Sequence, residues 1–183
     1  LSSISPTSRT AGDPGFKLTV KGTNFAIGAV VRWNASDRPT TFINSNQLTA
    51  QIAAADVAIA GTYPITVFNP TPGSGLSSPV NLTVNNPVPI LSNISPTSKT
   101  AGDTAFTLTV NGTSFNSSSV VRFNGVARAT TLVSATQLTA QILATDIQNP
   151  GTYPVTVFNP NPGGGTTAAS NLTVNKPVPT VTT

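Results

Sequence analysis

The chain has 183 residues, of which 38% are hydrophobic and 8% charged, against about 25% charged in ordinary soluble proteins. Nine Lys and Arg face five Asp, while Glu, His, Cys and Met are absent. That inventory excludes disulfides, nucleophile–imidazole catalysis and thiolate or imidazole metal sites. The net charge of +4 and the pI near 10 reflect scarce acids. Cations spread singly make no phosphate-binding stripe, so no nucleic acid partner is expected. No run approaches the ~18 apolar residues of a membrane span, so no membrane insertion is expected within this segment.

Short runs of period two follow one another, separated by turn residues, and none has helical periodicity. After Ile4-Ser5-Pro6-Thr7-Ser8, the triplet Ala11-Gly12-Asp13 marks a turn. Phe16, Leu18 and Val20 then alternate with Lys17, Thr19 and Lys21, and Val31 and Trp33 share a face. If Asn34-Ala35 is a two-residue turn, Arg32 faces Asp37 across the hairpin. The Ala-rich stretch from Ala53 to Ala60 predicts no more than a brief helical turn. Tyr63, Ile65 and Val67 alternate with Pro64 and Thr66, and a Pro/Gly-rich loop follows from Asn69 to Gly75. Val80, Leu82 and Val84 close the series with Asn81 and Thr83 turned outward. About seven strands in this length, with no helix of size, predict a β-sandwich.

The whole series then repeats. Ile4-Ser5-Pro6-Thr7-Ser8 returns as Ile94-Ser95-Pro96-Thr97-Ser98, and Gly61-Thr62-Tyr63-Pro64 as Gly151-Thr152-Tyr153-Pro154. The offset is 90 without a gap, and roughly 60% of positions are identical. In the second copy Asn124-Gly125 supplies the strongest short hairpin signal. The predicted organisation is a first module over 1–86, a Pro-rich linker over 87–90 and a second module over 91–176. Residues 177–183 are expected to be a linker and the start of a further repeat. Pro87-Val88-Pro89, echoed by Pro177-Val178-Pro179, predicts stiff connectors. Leu1-Ser2-Ser3 matches Val181-Thr182-Thr183 in phase, so the chain is expected to be two periods of a longer array.

Several motifs recur in one order in both copies. They are Ile-Ser-Pro-Thr-Ser, Ala-Gly-Asp, Phe-x-Leu-Thr-Val-x-Gly-Thr-x-Phe, Val-Val-Arg-(Trp/Phe)-Asn, Gln-Leu-Thr-Ala and Gly-Thr-Tyr-Pro, followed by a Gly-rich loop. The series resembles the IPT/TIG family of immunoglobulin-like domains, from about Ile4 to Val84 and from Ile94 to Val174. The resemblance implies two tandem all-β immunoglobulin-like sandwiches of the kind arrayed in secreted or surface proteins of microbes. The Tyr-Pro pair departs from the family pattern without bearing on the fold.

Candidate chemistry is sparse. Asp13 and Asp103 follow Gly in a turn, where Asp bonds its own backbone. Asp56 and Asp146 read as local caps, and so few carboxylates make a calcium site or a glycosidase pair a poor expectation. No catalytic, cofactor-binding or metal-ligating residue is therefore predicted, and no cofactor. Trp33 becomes Phe123 in the second copy, which suits core filling better than sugar stacking. Six Asn-x-Ser/Thr sequons occur. Asn81 and Asn171 are equivalent and outward-facing, which makes them the leading glycosylation candidates; Asn34, Asn93, Asn111 and Asn116 are the others.

The expected function is a non-catalytic structural repeat of an extracellular or cell-surface protein, such as a stalk, an adhesin or a filament subunit. Its expected partners are other copies of the repeat, through strand edges or head-to-tail contacts. The alternative is a carbohydrate-binding or spacer module of a secreted glycan-active enzyme, with surface glycans as partners.

Overall fold

The computed structural model describes residues 1–72 and 75–179. The matching triplet at 181–183, read as the start of a third repeat, lies outside the described residues. The chain divides into two compact units, Leu1–Asn86 and Pro87–Thr183.

In the first unit the strands are β1 (Ser3–Ser5), β2 (Ser8–Thr10), β3 (Phe16–Lys21), β4 (Val30–Trp33) and β5 (Ser36–Arg38). They continue as β6 (Thr40–Asn44), β7 (Gln47–Ile52), β8 (Gly61–Asn69), β9 (Gly75–Leu76) and β10 (Val80–Asn85). One sheet has the order β1-β3-β7-β6; the other has β2-β10-β8-β4-β5, with β9 paired to β8. The second unit repeats this with β11 (Ile90–Ser95), β12 (Ser98–Thr100), β13 (Phe106–Thr113), β14 (Val120–Phe123) and β15 (Val126–Ala127). Its remaining strands are β16 (Thr130–Ser134), β17 (Gln137–Ile142), β18 (Gly151–Asn159), β19 (Gly165–Thr166) and β20 (Ser170–Asn175). The structure thus shows two tandem all-β immunoglobulin-like sandwiches.

Ten strand segments per unit exceed the seven expected from alternation. The first strand crosses from one sheet to the other at Pro6-Thr7, which divides it into β1 and β2. The short β5 and β9 have no apolar alternation of their own; they sit at sheet edges, and apart from the half-buried Arg38 their residues are exposed. The Ala-rich stretch holds only a 3-10 turn over Ala54–Val57, matched by Ala144–Ile147.

The period-two pattern builds each core. Leu18 pairs with Ala50 and Val20 with Leu48 on one sheet, while Trp33 pairs with Ile65 and Val31 with Val67 on the other. All eight are buried, as are Leu82 and Val84 of β10. Trp33 stacks on Tyr63 with ring centroids 5.0 Å apart, and Phe123 on Tyr153 at 5.3 Å. The aromatic expected to fill the core does so in both units. The hairpin turns follow the sequence signals: Asn34 and Ala35 have φ of 45° and 68°, Asn124 and Gly125 of 50° and 81°. That conformation is natural to Asn and Gly and unfavourable for Ala, so the first unit's turn is the more strained.

Candidate functional site

Charge is scarce enough to be followed residue by residue. Each of the five carboxylates meets a cation. Asp13 lies 3.2 Å from Arg9, and Asp103 lies 3.2 Å from Lys99. Asp37 lies 2.7 Å from Arg32, the cross-strand partner that a two-residue turn imposes. Asp56 takes a two-pronged contact from Arg38, at 2.8 Å from Nε and 2.5 Å from Nη2. Asp146 takes the same contact from Arg128. The turn reading of Asp13 and Asp103 holds as well, since each accepts the backbone N–H of the residue three before it at 3.0 Å.

The paired Arg38–Asp56 and Arg128–Asp146 are the structural centre of each unit's charge pattern. Side-chain exposure is 18% and 13% in the first pair, and 13% and 11% in the second. Asp56 also accepts the Ala53 N–H at 3.0 Å, and Asp146 the Leu143 N–H at 2.9 Å, which holds the 3-10 turn against the β5–β6 region. The cap was legible in the sequence but its Arg was not. The available signal was the repeat itself, because Arg38/Arg128 and Asp56/Asp146 are kept at the 90-residue offset in a chain with few charges. For Asp56, burial pushes the pKa up, but the Arg38 hydrogen bond, the Ala53 N–H and the Arg38 charge outweigh it and hold it below its ordinary value. For Asp103 the Thr100 N–H, followed by the Lys99 contact, lowers it.

Among the described residues no cluster of three or more acidic or metal-ligating side chains occurs, and no helix is long and apolar enough to cross a membrane. None of the eleven aromatic side chains (one Trp, two Tyr, eight Phe) is exposed. Both Tyr hydroxyls donate to local carbonyls, Tyr63 to Ile59 at 2.8 Å and Tyr153 to Asn149 at 2.9 Å. Arg32 and Arg122 cover Phe68 and Phe158, with the guanidinium 4.5 Å and 4.1 Å from the ring centroids.

The sequons are dispersed. Asn81 and Asn171 are exposed on β10 and β20, opposite Pro64 and Pro154 of the neighbouring strands. Asn34 is exposed at its hairpin tip. Asn93 and Asn111 are brought together: the Asn111 amide donates to Asn93 Oδ1 at 2.8 Å and its carbonyl oxygen accepts from Gln137 at 2.9 Å. Asn116 uses its side-chain oxygen on the Ser118 N–H and hydroxyl.

The family model for the IPT/TIG domain matches the chain twice, over residues 1–84 and 89–174. The chain belongs to the IPT/TIG family. Its two IPT/TIG modules are similar in fold to several solved structures. One is an amphioxus IgVJ-C2 molecule, at 15% identity and a TM-score of 0.45, covering 92% of this chain and 99% of that one. Another is the full extracellular region of plexin A4, at 14% identity and a TM-score of 0.40, covering 96% of this chain and 18% of that one. A third is the Bacteroides ovatus protein SGBP-B of a mixed-linkage glucan utilization locus, in complex with a mixed-linkage heptasaccharide. It shows 16% identity and a TM-score of 0.34, covering 93% of this chain and 44% of that one. The IPT/TIG pair thus spans less than half the length of the plexin and SGBP-B chains. No curated protein sequence matches it significantly.

Proposed function

We propose that the chain is a stretch of non-catalytic structural repeats from an extracellular or cell-surface protein, in which each IPT/TIG module carries tension along a stalk or filament. The observation that carries this reading is the pairing of each module's first and last strands. β2 runs parallel to β10, with Ser8 opposite Thr83 and Thr10 opposite Asn85, and β12 runs parallel to β20 in the same register. Flanking bonds extend the ladder, from Ala11 N–H to the Asn85 carbonyl at 2.8 Å and from Thr83 N–H to the Thr7 carbonyl at 3.0 Å. Opposed forces on the two ends of a module pull parallel neighbours past each other. The bonds then share the load in shear instead of opening one at a time.

The charge pattern supports the same reading, because every carboxylate is engaged by a cation and none is left for acid–base work. The burial of the aromatics disfavours a sugar-stacking surface. Of the two assembly routes, head-to-tail contact is favoured over edge addition. The edge strands β6 and β16 are each interrupted by a register shift, and β5 and β15 have only three and two residues, features that blunt strand addition.

Pulling the chain by its ends in single-molecule force spectroscopy is expected to give two separate force peaks, each releasing roughly 250–300 Å of chain. Featureless extension would overturn the tension-bearing role. Asn81 and Asn171, exposed at the equivalent second position of β10 and β20, are proposed as the glycosylated sites. Glycopeptide mass spectrometry of native material is expected to find sugar there and none on Asn111, whose amide is engaged by Asn93. Unmodified peptides at both positions would dismiss the assignment.

A further inference from the structure

Five of the nine Lys and Arg are paired with the five Asp; among the described residues Lys17, Lys21, Arg122 and Lys176 are not. Two of these four share one strand. Lys17 and Lys21 are exposed on β3, on the face opposite the buried Leu18 and Val20. Four residues apart in a strand, they stand about 13 Å from each other. Across the same face Ser5, Thr19, Thr49 and Thr41 form one row, and Ser3, Lys21 and Gln47 the next, while Lys17 lies opposite Gln51. Beside Lys17 a shallow cleft of about 160 Å³ opens between Pro39, Thr41, Thr49 and Gln51. The three carboxylates of the module are taken by Arg9, Arg32 and Arg38, so none is free to neutralise this face.

In the second module the same face is closed on itself. Lys17, Lys21 and Pro39 have Thr107, Asn111 and Ala129 as counterparts at the 90-residue offset. Gln141 donates to Thr107 Oγ1 at 2.8 Å. Gln137 donates to Asn111 Oδ1 at 2.9 Å, and Asn111 in turn to Asn93 Oδ1 at 2.8 Å, a ladder across three strands. The counterparts of these amides, Gln51 and Gln47, have no side-chain hydrogen bond among the described residues, and neither ammonium group has an acceptor there. On one backbone, then, the second module spends its polar side chains on each other and the first presents them to solvent.

We propose that the β1-β3-β7-β6 face of the first module binds an acidic polysaccharide. The Lys17 and Lys21 ammonium groups meet carboxylates of the glycan chain, and the amides of Gln47 and Gln51 and the hydroxyls of Thr19 and Thr49 meet its sugar hydroxyls. Charge sets the class of partner, because the face is cationic and nothing in its own module balances it. Neutral sugars are held largely by stacking on exposed aromatic rings, and this chain exposes none. Charge-assisted hydrogen bonds take over that role for an anionic sugar. Cations about 13 Å apart on a flat sheet suit an extended polymer with recurring charge. The outward side chains between the lysines include no apolar group to enter a lipid surface and no ring to stack on a base. The inference goes beyond the load-bearing role and shares only its extracellular setting.

The test titrates the full chain with short polygalacturonate chains and follows it by two-dimensional NMR, with neutral dextran and phosphatidylglycerol vesicles as comparisons. Shifts are expected at Lys17, Thr19, Lys21, Thr49 and Gln51, and not at their counterparts Thr107, Thr109, Asn111, Thr139 and Gln141. Added salt should weaken the binding, and dextran should give no response. Lys17→Thr combined with Lys21→Asn installs the residues that the second module already carries. That variant should bind polygalacturonate about tenfold more weakly, with the unfolding midpoint read by Trp33, the sole Trp, close to that of wild type. No shift with polygalacturonate, shifts spread evenly over both modules, an equal response to dextran, or unchanged binding by the double variant would overturn the proposal. Preferential binding to the vesicles would overturn it too, in favour of a lipid surface. The force measurement uses no ligand, so its failure would dismiss the load-bearing role and leave this face untouched.

Discussion

Replacing Asp56 by Ala is expected to destabilise the first module by about 2–3 kcal/mol, between the value of an exposed ion pair and that of a fully buried one. Three things are lost together. The Ala53 N–H loses its acceptor, the 3-10 turn loses its tie to β5, and Arg38 is left largely out of water with its Nε and Nη2 unpaired. The last effect dominates, because a stranded charge costs more than a missing contact. Asp56→Asn keeps an acceptor for Ala53 but removes the charge, so it should fall between wild type and Ala. A paired replacement, Arg38→Met with Asp56→Leu, removes both charges and should recover part of the loss. Urea titration followed by Trp33 fluorescence measures this in the first module. A midpoint lower by about 1 M or more is expected for D56A, and a midpoint within error of wild type would show the pair to be energetically idle.

The same carboxylate sets an acid limit. Its pKa in the folded state lies below the ordinary value of 3.8, so between the two values the unfolded chain binds the proton and the folded one does not. The Asp56 contribution is therefore complete above about pH 4 and is lost as the pH falls through the lowered folded-state value. Asp103 adds in the same direction in the second module. Trp33-detected stability should accordingly fall as the pH drops below about 4 in wild type, and much less in Asp56→Asn.

Gly112→Ala is expected to destabilise the second module by about 3 kcal/mol, and Gly22→Ala the first by only about 1 kcal/mol. A Cβ on Gly112 would stand 2.0 Å from the Ile90 carbonyl oxygen, 3.0 Å from its carbon and 2.6 Å from Phe115 Cζ. The first two are backbone atoms of a paired strand, and they move only if β11 gives up its start. At Gly22 the nearest atom is Phe25 Cζ at 2.6 Å, the far end of a side chain, and the nearest backbone atom, Leu1 Cα, is at 3.0 Å, where a shift of a few tenths of an ångström suffices. Differential scanning calorimetry, with Trp33 marking the first module's transition, separates the two. Equal losses would mean that the approach of residues 90 and 91 is not what requires glycine at 112.

The amino-acid sequence alone determined the module, its period and the face of nearly every strand. Phe16, Leu18 and Val20, or Tyr63, Ile65 and Val67, reveal their buried side because alternation is a local property and period two has one inward face. Asn34-Ala35 and Asn124-Gly125 likewise placed the hairpins and with them the Arg32–Asp37 pair, because a two-residue turn sets the register. The tertiary structure alone decided which distant residues meet. Asp56 was legible as a cap, three residues from Ala53, but its partner Arg38 lies eighteen residues away on an edge strand, and no local pattern brings them together. The sheet switch at Pro6-Thr7 and the parallel pairing of β2 with β10 are non-local in the same way. Asn159 is the extreme case: its local sequence, Val-Phe-Asn-Pro, does not reveal that its side chain is buried against Pro87, Ser114 and Ser119, because those partners arrive from distant parts of the chain.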